Sequence, residues 1–319
     1  MRKMSKNLMY GQYMDEWLEY HKQFIKASTY SLYKIIIENH IKIDLGMYKL
    51  KHINNDLIQE FVLQKLQNGR KDNKGGLKEK TVRDIVVVIK LSLRYAFDKG
   101  IMKNFNMKII YPKEYDTKKL ILFNTSEVNI LNNYLISKPT EKNIGILLAL
   151  YSGLRIGELC ALKMSDINTN SKCINIDKTL QRVYIRNGFD NGNSEILITS
   201  PKTKNSLRVL PIPNFINELL IKLKISENKY LLTGTEKYTE PRTYRAYYER
   251  LLKKLEIDFK KFHCLRHTFA SKCIEIGVDY KTVSEMMGHS NINTTLNLYV
   301  HSNFEQKEKA VNELFLNFN

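Results

Sequence analysis

The stretch 172–212 constrains the fold more than any other. On either side of it, apolar residues recur with a helical period. Inside it they alternate: CINID, QRVYI, EILIT and LRVLPI are short runs, split by RNGFDNGNS and SPKTKNS. Alternation sends successive side chains to opposite faces of a strand, and the Gly, Asn and Pro clusters supply turns. A small antiparallel sheet with hairpins is therefore expected inside a largely helical frame.

The N-terminal part reads as helical throughout. Residues 9–24 carry Tyr13, Trp17, Leu18 and Phe24 at helical spacing, and 28–41 begin at Ser28, a candidate N-cap. Residues 55–67 are stopped by Gly69, and 79–98 form a long amphipathic segment closed by Gly100. The polar loop 69–76 separates these two. Residues 111–120 hold Pro112 and many polar side chains, and read as a linker. The expected organisation is a helical domain over 1–110, a linker over 111–120 and a mixed domain over 121–319.

Within the second domain, helices are expected at 126–137, 141–151, from Leu154 onward, and at 214–224, 241–255, 262–276, 279–287 and 293–299. The tail 303–319 has Ala310, Val311, Leu314 and Phe315 at helical spacing. The fold class is multidomain α and α+β.

Charge points to the partner. The 319 residues carry a net charge of +18. Residues 1–120 hold 24 Lys and Arg against 13 Asp and Glu, and residues 121–319 hold 27 against 20. Both halves are basic, which suits a long polyanion that touches both. A lysine-rich coding bias would also raise the total. The longest apolar run, Ile144–Tyr151, falls far short of the ~20 residues that span a bilayer. The basic N-terminus has no apolar core of a signal peptide. Cys160, Cys173, Cys264 and Cys273 form no C-x-x-C pair and read as reduced core residues of a cytoplasmic protein.

Four segments carry candidate chemistry. In YSGLRIGELCAL, Gly153 lets the chain turn and Arg155 falls in the first helical turn, where guanidinium and helix N-terminus can face one anion. Glu158, at i+3, shares that face and can hold the arginine. In FHCLRHTFASKCIEI, Leu265, Phe269, Cys273 and Ile276 form the buried stripe. His263 and Arg266 lie on a neighbouring face, a pairing that suits a phosphate, while His267 reads as structural. Asp279 can cap a helix that Gly288 ends, His289 follows at the turn, and Asn293 can cap the short helix bearing Tyr299. Lys202 lies between two expected strands, where it can swing over a phosphate or simply stay solvated.

Taken in order, R-x-x-E-L, a hairpin Lys, H-x-L-R-H, G-H and a Tyr ten residues after that His resemble the signature of the tyrosine recombinase (phage integrase) family. SGLRIGEL, HCLRHTFAS, MGHS and NTTLNLYVH carry the likeness, which extends over essentially the whole chain. It is strongest to integrases of phages and conjugative transposons of low-GC Gram-positive bacteria.

That resemblance implies an N-terminal SAM-like core-binding domain and a mostly helical catalytic domain clamping double-stranded DNA between them. Tyr299 would attack a phosphodiester, forming a 3′-phosphotyrosyl link and releasing a 5′-hydroxyl. Arg155 and Arg266 would clamp the phosphorane oxygens and His289 would donate to them. His263 would act as base, Lys202 as acid with Lys204 as the alternative, and Glu158 as support. No cofactor, nucleotide or divalent metal is needed. Four protomers would assemble on paired sites, each tail packing on a neighbour or folding back, with room for an accessory DNA-bending or directionality factor and no membrane. About ten residues precede the first helix, so an arm-binding domain is expected to be absent. Integration and excision of a mobile element is the leading role. A DNA invertase, a chromosome-dimer resolvase and a relaxing topoisomerase share the chemistry, and a catalytically silent DNA-binding regulator is the alternative from another class.

Overall fold

Apolar spacing dictates the first helices of the computed structural model, which describes residues 8–72, 74–103, 105–112, 121–185, 193–200, 204–293 and 295–296. Helix α1 (Tyr10–His21) buries Tyr10, Tyr13, Met14, Trp17 and Leu18, one stripe at i, i+3, i+4, i+7 and i+8. Helix α2 (Ala27–Ile36) continues through a π turn (Ile37–Ile41) into α3 (Lys42–Leu45). The wider turn keeps Ile36, Ile37 and Ile41 all inside. Helix α4 (Asn55–Asn68) is capped by Asn54, whose side chain accepts from the Leu57 amide at 2.9 Å. The 20-residue α5 (Glu79–Asp98) supplies Val82, Ile85, Val88, Ile89 and Leu93 to the same core. Its Ser92 answers the buried tyrosines: Tyr10 Oη lies 3.0 Å from Ser92 Oγ, and Tyr13 Oη donates to the Ser92 carbonyl at 2.5 Å.

Two expectations here are corrected. Ser28 is not the N-cap of α2: the Lys26 carbonyl accepts from Thr29 and Tyr30, so the N-cap is Lys26, two residues earlier. Phe24 is not in the core. It sits in a 3-10 turn after α1 and is 63% exposed, because that turn breaks the helical phase.

The chain divides into two compact units, one of residues 1–117 with 182–195, the other of 118–181 with 196–319. In the second, α6 (Thr125–Ser137) opens with a reciprocal capping box between Asn124 and Glu127. Helix α7 (Glu141–Ser152) is buried on nearly every side and forms the hub. After the short α8 (Ile156–Ala161) come β1 (Ile167–Asn168), β2 (Cys173–Ile176), β3 (Thr179–Ile185), β4 (Asn193–Thr199) and β5 (Arg208–Pro211), of which β3 from Arg182 and β4 up to Glu195 are counted with the first unit. The alternating runs make two sheets rather than one. The first has order β1-β2-β5 with antiparallel neighbours, Ile174 facing Ile167 and Leu210; in the second β3 pairs with β4. Strand β1 is too short to leave an alternating pattern. Helices α9 (Asn214–Lys222), α10 (Pro241–Lys254), α11 (His263–Glu275) and α12 (Tyr280–Met287) complete the unit. Among the described residues, no helix is long and apolar enough to cross a membrane.

Candidate active site

Two glycine corners build the site. Helix α7 ends at Gly153, in the left-handed region (φ 62°). A Cβ there would stand 2.7 Å from Phe269 Cδ1 and 3.0 Å from Met287 Sδ, so only glycine lets the corner nest against α11 and α12. Helix α12 ends likewise at Gly288 (φ 61°), where a Cβ would meet Arg208 Nη1 at 3.1 Å.

Arg155 follows the first corner and occupies the N-cap position of α8. Its amide donates to Glu158 Oε2 at 2.9 Å and its Nη1 to Glu158 Oε1 at 2.8 Å, while Nη2 reaches the Gly288 carbonyl at 3.0 Å. The i,i+3 pairing expected from the sequence is present, but Glu158 is no surface partner: it is 3% exposed. It also accepts both terminal nitrogens of Arg208, at 3.1 and 2.9 Å. Burial pushes its pKa up, yet the hydrogen bonds and charge of Arg208, then the charge and amide of Arg155, bring it down to about 2. Two guanidinium groups thus face one carboxylate, leaving a local surplus of positive charge beside a helix N-terminus.

Arg266 spans the two corners. Its Nη1 donates to the Gly153 carbonyl at 2.6 Å and its Nη2 to the Met287 carbonyl. It is 1% exposed, more deeply set than the sequence suggested, because the ends of α7 and α12 fold over it. His263 opens α11 and is exposed on its outer side, while its inner side packs edge-to-face on His267, ring centroids 4.5 Å apart. His289 leaves the Gly288 corner half-buried, its Nδ1 2.8 Å from Thr295 Oγ1. Desolvation, followed by neighbouring positive charge, holds both His263 and His289 down to about 4. Arg155 and Arg266 act on each of them, so one electrostatic neighbourhood contains all four residues.

The structure therefore brings together Arg155, Glu158, His263, Arg266 and His289. Lys202 and Tyr299 lie outside the described residues, as do the side chain of Lys204 and the tail 303–319. Two local expectations change. Ile276 leaves the α11 stripe and is 78% exposed, since the helix ends at Glu275 and Gly277 turns the chain away. Asn293 is not at the capping position: the Ile292 carbonyl accepts from the Thr295 and Leu296 amides, so Asn293 is already inside the turn, its amide donating to Asn291 Oδ1 at 2.9 Å.

Arg208 was missed. Its signal was faint but present: in RVLP it shares the inward face of the strand with buried Leu210. A charge at an inward strand position needs a buried partner. An open cleft of about 470 Å³ runs between β5 and α12, with Arg208, Glu285 and His289 in its wall.

Comparison with known proteins gives the family and the fold. The phage integrase family profile matches residues 122–306, and that of the phage integrase N-terminal SAM-like domain matches 9–66. A tyrosine recombinase XerC-like protein of Caldanaerobacter subterraneus subsp. tengcongensis is 30% identical, over 96% of this chain and 83% of its own. The transposase from transposon Tn916 of Enterococcus faecalis is 25% identical, over 88% and 71%. In fold, the chain is similar to the Tn1549 transposon integrase solved in complex with a circular intermediate DNA (TM-score 0.76, 20% identity, 96% and 99% covered). It is also similar to lambda integrase solved as a tetramer bound to a Holliday junction (TM-score 0.59, 18% identity, 93% and 80% covered). This chain belongs to the phage integrase family, and is an enzyme of the tyrosine recombinase and integrase class.

Proposed function

We propose that the protein is the site-specific recombinase of a mobile element, cutting and rejoining double-stranded DNA through Tyr299. The observation that carries this reading is the partly buried cationic site on the two glycine corners, where Arg155 and Arg266 are each held by a backbone carbonyl. Preorganised charge of this kind favours the extra negative charge of a phosphorane.

Tyr299 Oη bonds to the scissile phosphorus as the bond from phosphorus to the 5′-oxygen breaks. The tyrosine proton passes to His263 and the departing 5′-oxygen takes a proton from Lys202. A partner strand's 5′-hydroxyl reverses each step, so the ester bond is conserved and no nucleotide is consumed. His263 is neutral and able to accept a proton: burial first, and neighbouring positive charge second, hold its pKa down, and an anion between the arginines offsets the second of these. His289 donates to a non-bridging oxygen, its Nδ1 already oriented by Thr295.

The proposed division of labour is a core-type DNA-binding domain over 1–110, a linker over 111–120 and a catalytic domain over 121–319. The basic balance of both halves supports DNA contact by each. By likeness to lambda integrase, solved as a tetramer on a Holliday junction, four protomers work on paired sites; the family resemblance further suggests that the tail 303–319 packs on a neighbour and that an accessory DNA-bending or directionality factor sets direction. The reaction takes place in the cytoplasm, and the Tn916 relative favours integration and excision over inversion or resolution.

The test is a duplex from the ends flanking the gene, nicked to trap the intermediate, then denatured and resolved on a gel. The expected result is a covalent adduct that forms in chelator and vanishes in Tyr299→Phe. Tight binding of that duplex without an adduct would replace the recombinase by a silent DNA binder.

A further inference from the structure

Arg208 opens β5, one residue beyond the 3-10 turn Lys204–Ser206. Its side chain is 6% exposed, and its donors reach three elements. Nε donates to the Met286 carbonyl in the last turn of α12 at 2.8 Å, and Nη1 to the Ser206 carbonyl at 3.1 Å. Nη1 and Nη2 together grip the Glu158 carboxylate of α8. Glu158 in turn holds Arg155, whose other contact, the Gly288 carbonyl, lies just beyond the α12 turn that Arg208 also anchors.

Charge as well as geometry follows from this arrangement. With Arg208 in place, one buried carboxylate is shared by two guanidinium groups, and Arg155 keeps positive charge to offer an anion. Without it, Glu158 and Arg155 would form a closed, neutral bidentate pair, and the guanidinium would turn away from the Gly288 carbonyl. Resting on the strand-transfer reading above, we propose that Arg208 is a positioning residue: it neutralises Glu158 and fixes it, so that Arg155 presents its charge to the scissile phosphate. Arg208 itself touches no reacting atom.

The test uses the full chain and the trapping duplex, with the first-order rate of adduct formation measured at saturating protein against pH. Arg208→Met keeps much of the side-chain volume and removes the charge. Its duplex affinity is expected to stay within about threefold while the adduct rate falls by at least about tenfold, less than the roughly 10²–10³ lost with a direct transition-state contact. Its rate should also fall off at a higher pH on the acid side than wild type. Glu158 faces Arg155 from its own helix, Arg208 from β5 and His263 from α11, and loses its strongest stabilising partner. Arg208→Lys should restore the acid limb and part of the rate, since lysine returns the charge but not the fork.

A double mutant separates positioning from folding. In a Glu158→Gln background the carboxylate charge is gone, so adding Arg208→Met should cost less than about threefold. The same comparison decides the matter if Arg208→Met alone melts early. An unchanged pH profile, a rate within about twofold of wild type, or an equal loss in the Glu158→Gln background would each overturn the inference. If wild type forms no adduct on a duplex it binds, the strand-transfer reading falls first and the role of Arg208 falls with it.

Discussion

Arg266 ties two helix ends together by donating to the Gly153 and Met287 carbonyls. Arg266→Ala would leave both carbonyls buried and unanswered, at roughly 1–3 kcal/mol each. Urea unfolding should therefore show a loss of about 3 kcal/mol, and a loss below about 1 kcal/mol would mean water replaces the guanidinium. The histidines make a separate prediction. His263 and His289 have folded pKa values near 4, below the ordinary 6.5. Between those values the unfolded chain binds more protons than the folded one, so their contribution to stability is complete above pH 6.5 and is lost as pH falls toward 4. Imidazole resonances should titrate near 4 in the free protein and higher with DNA bound; a free-protein midpoint at 6.5 would contradict the packing and charge described.

At the scale of elements, the glycine corners differ in what surrounds them. Gly153→Ala would place a methyl against the Phe269 ring, adding roughly 1–3 kcal/mol of overpacking to the cost of a left-handed alanine. At Gly288 the nearest atom is the end of the Arg208 side chain, at 3.1 Å, with the Asn205 carbonyl at 3.2 Å. Gly288→Ala should accordingly lower the melting temperature less than Gly153→Ala, yet slow adduct formation, because it displaces Arg208 and tilts His289. Equal effects on both measurements would show that the second corner is only a turn.

The whole molecule carries +18, with an excess in both halves. Each phosphate neutralised by Lys or Arg releases counterions. Affinity for a cognate duplex should fall steeply and log-linearly with salt, by roughly 10³-fold or more between about 50 and 200 mM if six or more phosphates are contacted. A flat salt response would mean the charge lies away from the DNA. Light scattering on paired sites should report four protomers, against one or two on a single site.

Much of this protein was legible from the chain alone. Helical periods around Trp17, Ile85 and Leu147, the capping residue Asp279, and the Arg155–Glu158 spacing depend on neighbours within one turn. Local sequence therefore determined them, and the ordered set of polar residues determined the family. Tertiary structure decided the rest. Glu158 meets Arg208 across 50 residues, and Arg266 meets Gly153 across 113. The division of the alternating runs into two sheets depends on which strands meet. No local period encodes such pairings: burial gathers distant side chains, and the low dielectric there makes each buried charge require a partner that only the folded chain can supply.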